Sequence, residues 1–268
     1  MKIGLFITAR LKSSRLPLKL LLDLNGRTII ERVIDRAKQI TDVDQIVLCT
    51  SVNRQDKPLT DIALKNDIHY YLGSEEDVLQ RLLDAAKFFS VDYIISITGE
   101  NPIFSVEYAN QTIDLIKKTH ADFIQFAGLP IGCAVYGIKV KALEVVCAVK
   151  KEVDTEIWGP LINRPELFDI IREEVPSFYN RLDLRITNDY FEDYQFLNAV
   201  FKHFGKNEIP SLYSVLDLLD LNPEYLKIHG HRIQASLSEE QLGKIDIYFK
   251  ENLVRIKEIK AGIYKKMI

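Results

Sequence analysis

The chain has 268 residues, 47% of them hydrophobic and 27% charged, an ordinary globular composition with enough length for a sizeable core. A formal net charge of −3 argues against nucleic-acid binding by bulk electrostatics, and no apolar run approaches the roughly 18 residues that a membrane span needs. Cys49, Cys133 and Cys147 are widely spaced within apolar runs, which reads as buried thiols without a disulfide framework or zinc spacing. The start runs straight into a strand without the pattern of a secretory leader, so the expectation is a cytoplasmic protein.

In chain order, strands are predicted at 2–8, 45–50, 68–72, 93–98, 122–127, 132–138 and 182–187. Several are continuous Val/Ile/Leu runs, as strands buried on both faces should be. Between them lie helical patterns such as TIIERVIDRAKQI and EDVLQRLLDAAKFF, with apolar residues three and four apart. This alternation predicts an α/β fold, a mainly parallel sheet flanked by helices. From Ser238 the chain carries apolar residues at 242, 245, 249, 253, 256, 259 and 263 behind a Ser238/Gln241 capping box, one long amphipathic helix. Its stripe is either packed on its own domain or, being close to a heptad, the seam for a second subunit. The expected division is 1–225 for the main domain and 226–268 for a C-terminal helical extension.

The stretch after the first strand, ITARLKSSRLPLKLLLDLNGRTII, crowds Arg10, Lys12, Arg15 and Lys19 into ten positions. Ligands of open parallel sheets bind outside the carboxyl ends of the strands, which is where this loop falls. Lys and Arg there, with loop N–H groups, suit clustered anionic oxygens such as a polyphosphate; the alternative is a solvated basic turn. Neither GxxxxGK[ST] nor GxGxxG occurs, which disfavours a P-loop kinase and a dinucleotide-binding dehydrogenase.

ITARLKSSRLPLKLLLDLNGRTIIERVIDRAK resembles the signature of the cytidylyltransferases that activate sugar acids, among them the acylneuraminate and 3-deoxy-octulosonate enzymes and especially the spore-coat-polysaccharide type. VLCTSVNRQDKPL, YLGSEEDVLQRLLDAAK, ITGENPI and DLRITNDYFEDYQFL are similar, in the right order, to that family's further segments. The resemblance implies a Rossmann-like nucleotide-diphospho-sugar transferase fold. Nucleotide-sugar glycosyltransferases share that fold, so fold alone does not fix function.

The resemblance also implies attack by a sugar-acid hydroxyl on the α-phosphorus of CTP, with release of pyrophosphate and with Mg2+ as cofactor. Arg10, Arg15 and Lys19 match the triphosphate ligands, with Ser13 and Ser14 as further donors and Lys12 as a solvated neighbour. Glu100 and Asp189 match the metal carboxylates, although the family usually has Asp at the first of these positions. Arg10, Lys19 and Asp189 are the expected catalytic set. Base recognition is expected from the backbone of Ile7, Ala9 and Arg10 and from Thr50, Ser51, Asp77 and Arg81; Arg81 reads equally as a surface ion-pair residue. Asp193 is expected to cap or pair in the following helix. Glu156 and Trp158 line either a sugar site or a dimer contact, or Trp158 is simply buried, and Arg185 is a candidate for a substrate carboxylate or phosphate. The partners implied are CTP, an acidic sugar and a second copy of the chain, with no nucleic acid and no membrane. The alternatives are a nucleotidyltransferase for another acceptor, such as a polyol phosphate or phosphonate, and a non-catalytic nucleotide-binding module.

Overall fold

The first strand, β1 (Ile3–Thr8), is buried along its whole length, and it pairs in parallel with β2 (Gln45–Ser51) on one side and β4 (Tyr93–Thr98) on the other. A strand with two neighbours and two covered faces has no polar side to show, which is why its sequence is an unbroken apolar run. The computed structural model describes residues 1–230 and 232–265. Position 231 and residues 266–268 of the expected 226–268 extension lie outside the described residues.

Between β1 and β2 come a 3-10 turn (Lys19–Leu21) and α1 (Ile29–Ala37), started by a Thr28/Glu31 capping box. A 3-10 turn (Arg54–Asp56), α2 (Lys57–Lys65) and β3 (His69–Gly73) follow, then α3 (Val78–Phe89), whose N-cap is Asp77. After β4 come α4 (Val106–Thr119), β5 (Phe123–Ala127), β6 (Tyr136–Lys139), α5 (Val140–Val149), α6 (Gly159–Ile162) and β7 (Ile170–Glu174). The chain closes with α7 (Phe191–His203), α8 (Leu212–Leu221), a 3-10 turn (Pro223–Ile228), α9 (Glu239–Glu251) and α10 (Leu253–Lys265).

Among the described residues seven strands form one sheet in the order β3-β2-β1-β4-β6-β5-β7. β6 runs antiparallel to both of its neighbours, and the remaining pairings are parallel. Period-two alternation sends Leu5 and Ile7 to one face and Phe6 to the other. The first face packs α1, α4, α7 and α8, and the second packs α3, α5, α6, α9 and α10. This is the mainly parallel, helix-flanked sheet that the sequence predicts.

Three expectations need correction. Residues 182–187 are not a strand: Arg185 makes one isolated bridge to Ile131, and buried Leu184 and Ile186 produce the alternation that mimics a strand. The seventh strand is β7, an edge strand whose exposed Arg172, Glu173 and Glu174 conceal it, since edges carry charge to block further pairing. The strand expected from 132 starts at Tyr136 because Gly132, at φ +91°, turns the chain; a Cβ there would lie 2.2 Å from the Ile186 carbonyl oxygen.

The C-terminal helical segment is present but divided. Asn252 ends α9, its side chain donating to the Tyr248 carbonyl at 2.8 Å, and α10 begins at the next residue. From Ile245 onward the stripe is covered by its own chain, Leu242 alone of it being exposed: Ile245, Phe249, Ile256 and Ile263 are buried with α5 and α6, and Leu253 and Ile259 pack against them. That coverage replaces the reading of the stripe as a subunit seam. Lys260 adds a polar clamp, reaching Asp122 at 3.0 Å and the Leu167 carbonyl at 2.6 Å.

Candidate active site

At the carboxyl end of β1 the chain leaves the sheet and is tied down at once. Ala9 N–H donates to Cys49 O at 3.1 Å, and Leu11 N–H donates to Asp56 at 2.7 Å. The other oxygen of Asp56 accepts from Ser51, at the end of β2. Leu18 then takes a left-handed conformation (φ 54°), an uncommon choice for a branched residue, and the 3-10 turn that follows brings Lys19 inward to 8% exposure.

Lys19 Nζ and Arg15 Nη2 converge on one oxygen of Asp189, at 2.8 and 2.9 Å. The other Asp189 oxygen accepts from Arg185 at 3.0 Å. Burial pushes the Asp189 carboxyl upward, but Lys19, Arg15 and Arg185 outweigh it and hold the group below the usual carboxylate range. Glu100, on the turn after β4, is partly buried beside the same charges. Burial raises its carboxyl, Lys19 works against that rise, and Asp189 adds to it.

Arg10 points the other way. It donates to the Glu75 carbonyl at 2.7 Å and meets the carboxylates of Glu76 and Glu156, each at 3.3 Å. Lys12, expected to be solvated, is exposed but paired, with Glu75 at 3.0 Å and Glu76 at 2.9 Å. All four cations of the loop therefore face carboxylates contributed by three separate segments, around 75, 156 and 189.

Arg81 is 1% exposed and donates to the Ser74 and Glu75 carbonyls, so it is no surface ion-pair residue; it shapes the 74–75 turn that holds Arg10. The side chain of Asp77 is occupied, capping Gln80 N–H and accepting from Thr155 at 3.0 Å each and from Lys150. The Ser51 hydroxyl is committed to Asp56. Thr50 is fully buried and its hydroxyl has no partner among the described residues. Ile7 is buried within β1, and Ser14 is exposed on the loop. Trp158 meets Tyr136 and Phe123 edge-on, which is core packing, while Glu156 two residues earlier faces Arg10. Asp183 points to solvent near Arg181, away from Asp189. Asp193 completes the capping box of α7.

A family model described as cytidylyltransferase matches residues 5–215. The chain belongs to the cytidylyltransferase family. By that membership it is a CTP-dependent nucleotidyltransferase. An uncharacterized protein of Methanocaldococcus jannaschii is similar, at 31% identity over 241 residues, 89% of this chain and 99% of that protein. The spore coat polysaccharide biosynthesis protein SpsF of Bacillus subtilis is 26% identical over 225 residues, covering 81% of this chain and 94% of the relative. Among solved structures, a cytidylyltransferase from Leptospira borgpetersenii superimposes with a TM-score of 0.77 at 25% identity, covering 88% of this chain and all of that one.

Reading the sequence as a cytidylyltransferase locates Arg15, Lys19 and Asp189, which the fold brings together, and names Glu156 without its Arg10 partner, but leaves out Glu75 and Glu76. Glu75 and Glu76 stand in plain view in YLGSEED and Asp56 in NRQDKPL; acidic residues in loops at strand ends were the signal available. His229, Arg232 and Gln234, which reach the same cluster, carry no such signal.

Proposed function

We propose that this cytidylyltransferase transfers the cytidylyl group of CTP to a hydroxyl of an acidic sugar, releasing pyrophosphate, for the synthesis of cell-surface glycan. The observation that carries the reading is the convergence of Lys19 and Arg15 on one buried oxygen of Asp189, beside Glu100 at the carboxyl edge of the parallel strands. Lys19 is already desolvated and both cations are aimed, and a triphosphate takes over from the carboxylate that holds them in its absence. Arg15 offers a guanidinium fork and Lys19 a point charge to the phosphates, while Arg10 is the third ligand once it parts from Glu76 and Glu156.

The residues fit magnesium by chemistry. Glu100 and Asp189 are hard oxygen donors, and one or two carboxylates with substrate phosphates is how that ion is commonly held. Both Asp189 oxygens accept from Arg15, Lys19 and Arg185, so metal binding requires Arg15 and Lys19 to turn towards phosphate. When bound, magnesium offsets charge on the phosphoryl oxygens. The chain's own part is to hold the phosphates and keep the α-phosphorus in line with the acceptor hydroxyl. The unpartnered Thr50 hydroxyl, with the backbone from Ile7 to Arg10, supports a cytosine subsite at the end of β1 and β2. There Ser51, Asp77 and Arg81 act as the frame. Arg185 supports recognition of an anionic group on the acceptor.

The similarity to a spore coat polysaccharide protein supports the glycan setting. Three free cysteines support a reducing, cytoplasmic one. A homodimer belongs to the same reading, with its contact elsewhere than the α9–α10 stripe. Light scattering reads its mass. Pyrophosphate release with CTP, magnesium and a panel of sugar acids, polyol phosphates and phosphonates tests the function. Release with a sugar acid is expected. Release only with a polyol phosphate or phosphonate moves the substrate class, and CTP binding without release leaves a binding module.

A further inference from the structure

We propose that residues 229–230 and 232–237, outside the stretch matched by the family model, form a strap that positions Asp189, with His229 as its positioning residue. The functional weight of Asp189 rests on the reading above. The strap joins the 3-10 turn that packs on α7 to α9 on the opposite face of the sheet, where Leu237 lands against the second core. On the way it touches the Asp189 loop at three points.

The deepest point is His229, 3% exposed, with its ring stacked 4.1 Å from that of Phe196 and Nδ1 3.1 Å from Asp193 Oδ1. An ionised carboxylate only accepts, so Nδ1 carries the proton. Asp193 is fully buried, and its other oxygen accepts from the Asp189 amide at 2.9 Å, the Tyr190 amide at 3.0 Å and Arg185 Nη2 at 2.9 Å. Arg185 spans Asp193 and Asp189 with the same nitrogen. Position and charge partner of Asp189 are thus both fixed through Asp193, and His229 holds Asp193 from behind. The other two points are lighter. Gln234 accepts from Arg185, and Arg232 pairs with Glu192 at 2.6 Å while lying 4.5 Å over the Tyr190 ring.

A residue acting through hydrogen bonds is separated from a merely packed one by replacing it with a shape that keeps the donor. His229→Asn presents an amide N–H where Nδ1 stood, and His229→Leu keeps bulk without a donor. In the full chain without ligand, the Leu variant should speed hydrogen exchange of the 187–193 segment by about tenfold while β1 and β4 keep their protection, and the Asn variant should restore it. In calorimetry with magnesium, CTP affinity should fall by about tenfold in the Leu variant and recover in the Asn variant. Without magnesium it should stay within about twofold, because Arg15 and Lys19 exchange Asp189 for the phosphates and no longer depend on its position. Gln234→Met, at an exposed position, should lower the magnesium-dependent affinity by about threefold, and it keeps the test alive if the Leu variant does not fold. Unchanged exchange at 187–193 in the Leu variant, or loss of protection shared equally by β1 and β4 or by the Asn variant, would overturn the strap. If the wild-type chain binds no CTP while the exchange pattern holds, the nucleotide reading fails and the positioning of Asp189 stands.

Discussion

Residues 10–19 and residues 185–193 supply the two halves of one ion cluster, and they are held in opposite ways. The cations of the first half sit on a loop with little packing of its own, Arg15 and Leu18 largely exposed, and their geometry comes from carboxylates elsewhere in the chain. The second half is buried and saturated with bonds. Asp193 carries its Arg185, His229, Asp189 and Tyr190 contacts without solvent access, and those bonds hold its carboxyl below the usual range although burial pushes it upward. A receptor for a mobile polyanion needs side chains that can change partners, whereas a carboxylate that orients them needs a fixed seat. The division of labour follows from that difference.

The largest expected effect falls on the scaffold across the sheet from the fixed half. Phe249→Ala empties a buried ring site under the Arg164 guanidinium and should cost about 3–5 kcal/mol in urea unfolding. A loss within a few tenths of that expected for an exposed residue would return the stripe to an intersubunit role. Next comes Asp189→Asn, which should lower turnover by about a hundredfold to a thousandfold. Metal-free CTP affinity should hold or rise in the same variant, since Arg15 and Lys19 lose a competing carboxylate. Equal losses in both would merge the two halves into one rigid site. A smaller effect falls on the clamp of α10. Burial raises the Asp122 carboxyl, but Lys260 and the Asp169 amide help bring it below the ordinary range. The folded chain then binds that proton less readily than the unfolded one. The stabilisation is therefore complete above about pH 4 and is lost as pH falls through the folded value. Lys260→Met should cost about 2 kcal/mol at pH 7 and flatten the acid side of the stability profile, read by urea unfolding at a series of pH values.

How much of this was legible in the sequence depends on whether chemistry and chain order coincide. β1, β2 and β4 are apolar runs because both their faces are covered, and the loop cations lie within ten consecutive positions, so the fold and half of the cluster could be read directly. β7 was hidden because an edge strand carries charge, and 182–187 imitated a strand because Leu184 and Ile186 alternate inward beside a single bridge. Arg81 read equally as a base-recognition residue and as a helix-surface cation; its 1% exposure, under the 74–75 turn whose carbonyls it holds, removes the second reading. The strap was out of reach: Gln234 meets Arg185 and His229 meets Asp193 only after the chain has passed through α7, α8 and a 3-10 turn. No local pattern encodes a contact made that way.

The most direct test of the central claim, that the loop cations parked on Asp189 are the receptor for the triphosphate, is a calorimetric titration of CTP into the Lys19→Ala variant beside the wild-type chain. Lys19 is buried against Asp189 as a polar pair outside the apolar clusters, so the fold should survive its loss. The affinity should weaken by about 1–3 kcal/mol, the range of a charge-assisted hydrogen bond. An unchanged affinity would contradict the account and leave residues 10–19 as a basic turn paired with acidic neighbours for reasons unrelated to the nucleotide.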